Sequence, residues 1–342
     1  MPTGTNGNNL MFGTSASETF YALAGNDTVF ASGGNDTVYG AAGNDSLFGG
    51  TGNDRLDAGT GTDTLYGGND NDTLISSGYG RYYGESGNDY VYAGSGGGET
   101  LDGGTGTDWL NTASYSGNYR VNLANGQTNF FFESFVNFEN IHSGSGNDTL
   151  YGTTGANIMS GGGGNDQIYG DAGNDQIFGD AGDDTIYGDA GNDYLSGGTG
   201  SDWLYAGTGT DTLHGWNDND ILTSSGYGQY YGDSGNDYVY AGNGAGETLD
   251  GGTGTDWLNT TSFSGDYRVN LANGQTNFVL ESFINFENIR TGHGNDTLYG
   301  TEGANFMHSS GGNDQIFGHG GDDTLEGGDG NDYLSGGDGN DR

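Results

Sequence analysis

The chain has 342 residues, 75 of them glycine and none cysteine, with 47 acidic side chains against six arginines and no lysine, for a formal net charge of −41. So few cations exclude binding to nucleic-acid phosphate, and the absence of cysteine excludes disulfides and thiolate metal sites. No apolar run approaches the roughly 18 residues of a transmembrane helix, and Met1-Pro2-Thr3 opens no signal peptide.

From the N-terminus a nine-residue repeat enters imperfectly, with Asn9 and Glu18 where aspartate is expected. It becomes regular at Asp27, Asp36, Asp45, Asp54, Asp63 and Asp72, each followed two positions later by Val or Leu. Around ISSGYGRYYGESGND the phase slips by one residue and Gly80 takes the aspartate's place, before Asp89. An insertion near GSGGGE restores the phase, with Glu99 standing in before Asp108. From Asn111 to about Gly146 the nonapeptide stops, and SYSGNYRVNLANGQTNFFFESFVNFENI offers β-rich pieces, RVNL and FVNFENI, around an Asn-Gly turn. Alternating Val121 and Leu123 predict strands stacked on the solenoid, as a wider rung joining two rolls; a binding surface is the alternative reading.

The array resumes at Asp148 and runs through Asp166, Asp175, Asp184, Asp193, Asp202, Asp211 and Asp220. Both irregularities then recur, at Gly228 before Asp237 and at Glu247 before Asp256. A copy of the insert follows, and the chain continues through Asp296, Asp314, Asp323, Asp332 and Asp341. Asp70 and Asp218 replace the turn glycine before Asp72 and Asp220, so weakened or absent calcium sites are expected on these and the slipped rungs. A larger duplication overlies the nonapeptides, because GTNGNNLM at Gly4, GTTGANIM at Gly152 and GTEGANFM at Gly300 stand 148 residues apart. The expected organisation is therefore a first block 4–151 with its insert at about 111–146, a second block 152–299 with its insert at about 259–294, and a partial third block 300–342.

The unit's chemistry follows from its parts. Its glycine- and asparagine-rich half suits a tight turn with φ > 0. Its other half gives three extended positions whose middle, apolar residue faces one side. Two units make one coil of 18 residues, which stacks aspartates 18 apart along one edge, about 4.8 Å from rung to rung. At an effective dielectric of about 20, carboxylates that close repel by roughly 3 kcal/mol. Such a ladder needs cations, and carboxylates with turn carbonyls are hard oxygen donors that favour Ca²⁺. Acidity and low hydropathy of this degree otherwise mean disorder.

The pattern G-G-x-G-x-D-x-U-x, clearest over Gly161–Leu204, resembles the RTX, or hemolysin-type, calcium-binding nonapeptide repeat. The resemblance implies an all-β fold: a right-handed parallel β-roll or β-helix solenoid with Ca²⁺ in the turns, held by the aspartates named above. At about one ion per regular unit, roughly 20 Ca²⁺ would supply about +40 and nearly cancel the formal charge. It also implies a location outside the cell or on its surface, with calcium in place of disulfides. RTX-like proteins typically leave by a C-terminal signal, which a chain stopping in mid-repeat at Asp341-Arg342 lacks.

Other chemistry is not apparent. The five histidines have no partners at matched spacing, and no G-x-S-x-G elbow occurs. Outward rings at 18-residue spacing predict aromatic ladders, Phe12–Phe30–Phe48–Tyr66 and Tyr151–Tyr169–Tyr187–Tyr205. These either brace neighbouring strands, pack solenoids side by side, or stack on sugars of a cell surface. The expected function is a calcium-dependent extracellular structural module of a fibre, surface layer or adhesin stalk, not an enzyme, with head-to-tail filaments as a further expectation. The alternatives are the calcium-folded repeat region of a secreted protease, lipase or alginate epimerase, and, more weakly, ice binding.

Overall fold

The computed structural model describes residues 1–342 except Gly97, Phe131, Gly244, Ala245, Phe278, Val279 and Leu280. The insertion predicted near GSGGGE falls partly on Gly97 and to that extent lies outside the described residues. The chain divides into two compact units, Met1–Ile168 and Tyr169–Arg342. Each is a parallel β-solenoid, and every regular element among the described residues is a short strand. Among the described residues no helix is long and apolar enough to cross a membrane.

The nonapeptide explains the coil. Its three extended residues form strands such as Thr37–Tyr39 and Arg55–Asp57, whose middle residue is buried and whose outer two are half-buried. Parallel pairing joins strands 18 residues apart, as in Thr28↔Ser46, Val29↔Leu47 and Phe30↔Phe48. Successive strands alternate between two sheets, so the core between them is one residue thick. Val29, Leu47 and Leu65 come from one sheet, and Val38, Leu56 and Leu74 from the other; all are fully buried. Each such burial contributes about 1.5–3 kcal/mol.

In the first unit a seven-stranded sheet begins at Leu10–Phe12 and ends at Ser134–Val136. The phase slip is visible in its register. Asp63 pairs with Gly80 across 17 residues, and Gly80 with Glu99 across 19, after which the phase is restored. The predicted aliphatic core changes there, because fully buried Tyr82 stands in line with Leu65, and Tyr230 does the same in the second unit.

The insert enlarges one coil. Trp109 pairs directly with Asn140, so that coil spans 31 residues instead of 18. Inside it, Arg120–Asn122 folds back on Gln127–Thr128 through the predicted Asn125-Gly126 turn, where Gly126 has φ 69°. Ser134–Val136 closes the old sheet against Glu99–Asp102, while Arg120–Asn122 opens a new one against Thr149–Tyr151. In the second unit Arg268–Asn270 likewise opens a new five-stranded sheet that ends at Tyr333–Asp338.

The predicted ladder of outward rings is present in the first unit. Phe12, Phe30, Phe48 and Tyr66 stack with centroids 4.6–5.5 Å apart and nearly parallel planes, and Tyr83 extends the row. In the second unit Tyr169, Tyr187 and Tyr205 stack at 4.9 and 4.7 Å.

A candidate calcium ladder in the turns

Each regular turn presents its aspartate in the same way. The carboxylate points inward from the strand's first end, and its Oδ1 accepts a hydrogen bond from the backbone N–H of the ladder residue one coil earlier. Asp27, Asp36, Asp45 and Asp54 donate to Asp45, Asp54, Asp63 and Asp72 at 2.7–2.8 Å. Asp175, Asp184, Asp193 and Asp202 donate to Asp193, Asp202, Asp211 and Asp220 at 2.8–3.0 Å. The same bond fixes Asp89, Asp108, Asp148, Asp166, Asp237, Asp256, Asp296, Asp314 and Asp323. Asp332 and Asp341 also accept it but are less covered. All the other predicted ligands are buried.

The second oxygen is the chemically open one. Oδ2 of Asp27, Asp36, Asp45, Asp54, Asp72, Asp89, Asp108, Asp193, Asp202, Asp220, Asp237, Asp256, Asp314 and Asp323 is buried and has no hydrogen-bond donor. A buried carboxylate oxygen without a partner is costly, and here the cost recurs at nearly every coil. The space beside it is lined by oxygen. A Cβ at Gly40 would stand 2.6 Å from both Asp45 Oδ2 and the Ala58 carbonyl oxygen. One at Gly188 would stand 2.7 Å from Asp193 Oδ2 and 2.6 Å from the Ala206 carbonyl oxygen. Any side chain there would clash, so glycine is what lets the carboxylate and the next coil's carbonyl oxygen approach each other. Among the described residues no three acidic or imidazole side chains converge, so further donors have to be backbone carbonyls. One carboxylate per turn with carbonyls around it suits Ca²⁺ and not a transition metal.

The electrostatics agree. Burial, with the neighbouring ladder charges adding to it, pushes Asp72 and Asp220 up to about 8. The same causes raise Asp108 and Asp193 to about 7, and burial with the turn carboxylates Asp183 and Asp218 raises Asp202 to about 7. Asp70 and Asp218 contribute to the load on Asp72 and Asp220, yet both take up the glycine's left-handed conformation, with φ of 75° and 72°. The turn shape is therefore kept there.

The slipped rung is different in kind. Ser77 Oγ donates to Asp63 Oδ2 at 3.2 Å, so the oxygen left open in regular turns has a protein partner. The Tyr82 hydroxyl reaches back to accept from Ser77 N at 3.1 Å and donate to Tyr79 O at 2.9 Å. Hydrogen-bonding groups fill this turn. Arg81→Ala or Gln229→Ala, on outward positions of the two slipped rungs, is expected to leave the number of bound ions unchanged by native mass spectrometry. A lost ion in either variant would show that the register of the ladder is misassigned.

Several ladder residues escape the nonapeptide pattern. Glu139 and Glu287 accept from Asp108 N and Asp256 N at 2.8 Å and so continue the ladder through the inserts. Glu133 and Glu281 follow Glu99 and Glu247 on the other column, in the register Thr100↔Ser134 and Thr248↔Ser282. A sequence signal for them exists, since each stands two residues before a buried apolar residue: Ile141, Ile289, Phe135 and Phe283. The expectation that the nonapeptide stops over 111–146 thus holds for its glycine half only; the extended half persists.

The histidines stack between rungs. His142 lies against Ser160 at 2.7 Å, His214 against Asp233 at 2.9 Å and His308 against Glu326 at 2.9 Å.

Fold and turn together define a calcium-binding parallel β-solenoid. The signature of the RTX calcium-binding nonapeptide repeat matches the chain in overlapping stretches that together span residues 3–74, 83–98, 142–226, 231–247 and 290–342. The chain belongs to that family, and Ca²⁺ is the ion its repeats bind. The matches lapse at the slipped rungs and across the inserts, where the turn chemistry changes. No curated protein matches the chain. Among solved structures, the chain is similar to a hyperactive, Ca²⁺-dependent, β-helical antifreeze protein from an Antarctic bacterium, at 20% identity and a TM-score of 0.24, over 97% of this chain and 80% of that one.

Proposed function

We propose that the chain is a calcium-dependent structural repeat module that works outside the cell, with its turn aspartates as the ligands and about one ion per regular nonapeptide. The observation that carries this reading is the buried, donorless Oδ2 that recurs at most coils between Asp27 and Asp323, with Asp63 and Asp148, which accept from Ser77 and Ser143, as exceptions. A site used once for catalysis has no reason to recur on every coil. A ladder whose charges are cancelled by ions turns an otherwise disorder-prone composition into a solid. Extracellular calcium modules bind with dissociation constants of about 10⁻⁴–10⁻³ M, far above the range of cytosolic sensors. The same chain would then be unfolded in a calcium-poor compartment and folded in a calcium-rich one.

The reading takes the 148-residue block as the unit of duplication. It includes a role in a fibre, surface layer or adhesin stalk, with the aromatic rows and the exposed Leu10, Phe12, Tyr333 and Leu334 as contacts between copies. Isothermal calcium titration combined with light scattering tests it. A midpoint near millimolar calcium, about 20 ions and concentration-dependent association are the expected results. A submicromolar midpoint would remove the extracellular assignment, and a strictly monomeric particle would remove the assembly role.

A further inference from the structure

The two inserts differ at one atom that matters. Glu247 and Glu281 immediately precede the paired residues Thr248 and Ser282, which places them side by side on adjacent strands, both inward. Glu247 is 0% and Glu281 8% exposed. Each uses one oxygen well. Glu247 Oε2 accepts from Ser224 Oγ and from Gly242 N, and Glu281 Oε2 accepts from Tyr267 OH at 2.8 Å and from Thr276 Oγ1 at 3.4 Å. Their other oxygens, Glu247 Oε1 and Glu281 Oε1, are both buried without a donor.

In the first unit the matching pair is Glu99 and Glu133, in the register Thr100↔Ser134. There the Tyr115 hydroxyl shares its one proton between the Gly94 carbonyl oxygen and, at 3.3 Å, Glu133 Oε1. Only Glu99 Oε1 is left without a donor. The counterpart of Tyr115 is Phe263. Its ring holds the same place, stacked on Tyr267 at 5.0 Å and 12°, as Tyr115 is stacked on Tyr119 at 4.7 Å and 14°. The second copy therefore keeps the ring and lacks the hydroxyl.

We propose that Glu247 and Glu281 form a divalent-cation site of their own, made by two side-chain carboxylates inside the widened coil, and that the Tyr115 hydroxyl caps the corresponding site in the first unit. Carboxylates on adjacent strands, about 4.8 Å from rung to rung, repel strongly in a buried space, and two donorless hard oxygens on neighbouring rungs favour an alkaline-earth ion. The geometry differs from that of a turn, where one carboxylate works with carbonyls. The slipped rung adds room, because the residue that pairs with Glu247 on its other side is Gly228, without a side chain.

The test counts ions on the intact, calcium-loaded chain by native mass spectrometry. Phe263→Tyr restores the capping hydroxyl and is expected to lower the count by one. Tyr115→Phe uncaps the first site and is expected to raise it by one. Circular dichroism checks that both variants keep the β fold. Should Phe263→Tyr fail to fold, Glu281→Gln is read instead, again with one ion lost. An unchanged count in Phe263→Tyr or in Tyr115→Phe overturns the proposal and leaves the pair holding a proton. The outcome is separable from the turn-aspartate reading, which is judged by the ladder count itself.

Discussion

In excess chelator at pH 8 the chain is expected to lose most of its β-sheet circular dichroism, and acidification toward pH 5 is expected to recover part of it with no metal present. Burial, followed by the charges of neighbouring rungs, raises the ladder carboxyls: Asp72 and Asp220 to about 8, Asp237 to about 7, Asp45, Asp54 and Asp256 to about 6. In the unfolded chain the same groups titrate near the ordinary aspartate value, about 3.9. Between about pH 4 and pH 8 the metal-free fold therefore binds more protons than the unfolded chain. Its stability is greatest below the unfolded value and falls as pH rises through the folded ones. Calcium reverses the trend, because it needs the ionised carboxylate, so its affinity rises over the same interval. Circular dichroism against pH in chelator and in calcium separates the two. A complete β spectrum in chelator at pH 8 would contradict the account, as would a metal-free signal that grows with pH.

Asp202→Asn is expected to remove at least one calcium ion and about 3 kcal/mol of stability, toward the upper end of single-substitution effects. Asp202 is fully buried amid an uninterrupted run, and its Oδ2 has no donor. Asparagine keeps the size and leaves an Oδ1 that still accepts from Asp184 N, now at 2.8 Å. The change thus isolates the charge offered to the cation. Because each coil touches only its neighbours, the loss should spread to adjacent rungs and not through the whole chain. Asp57→Asn provides the contrast. It disturbs a partly exposed pair with Arg55 at 3.5 Å, worth at most about 1 kcal/mol, and should leave the ion count intact. Urea unfolding in millimolar calcium, with ion counting alongside, reads both variants. Asp202→Asn with a full complement of ions and an unshifted midpoint would remove it from the ligand set.

Much of this was legible in the sequence because the repeat is nearly a physical formula. An aspartate with an aliphatic residue two positions on sets both the turn and the core, so the ladder from Asp27 to Asp72 and its 18-residue register follow directly. The slip at Gly80 was legible too, as a break in phase. What replaces the ion there was not, because it depends on Tyr82 turning inward so that its hydroxyl meets Ser77 and Tyr79. The phase itself puts Tyr82 at the inward, middle position of its strand, in line with Leu65, but no local pattern says where its hydroxyl ends. Glu139 and Glu287 were hidden for a related reason. Their strands keep the extended half of the unit but lose its glycines, and glycine was the louder signal. The Glu247–Glu281 pair requires a register that closes over more than thirty residues of insert, which no local pattern specifies.

The most direct test of the central claim, that folding and calcium binding are one event, is a single calcium titration at pH 8. Circular dichroism and bound-ion count are followed on the same samples from the chelated state upward. Coincident, steep curves are expected: no β spectrum before ions bind, and about 20 ions bound when the β signal is complete. A chain already folded before the first ions are taken up, or ions bound in number to a chain that stays disordered, would contradict it.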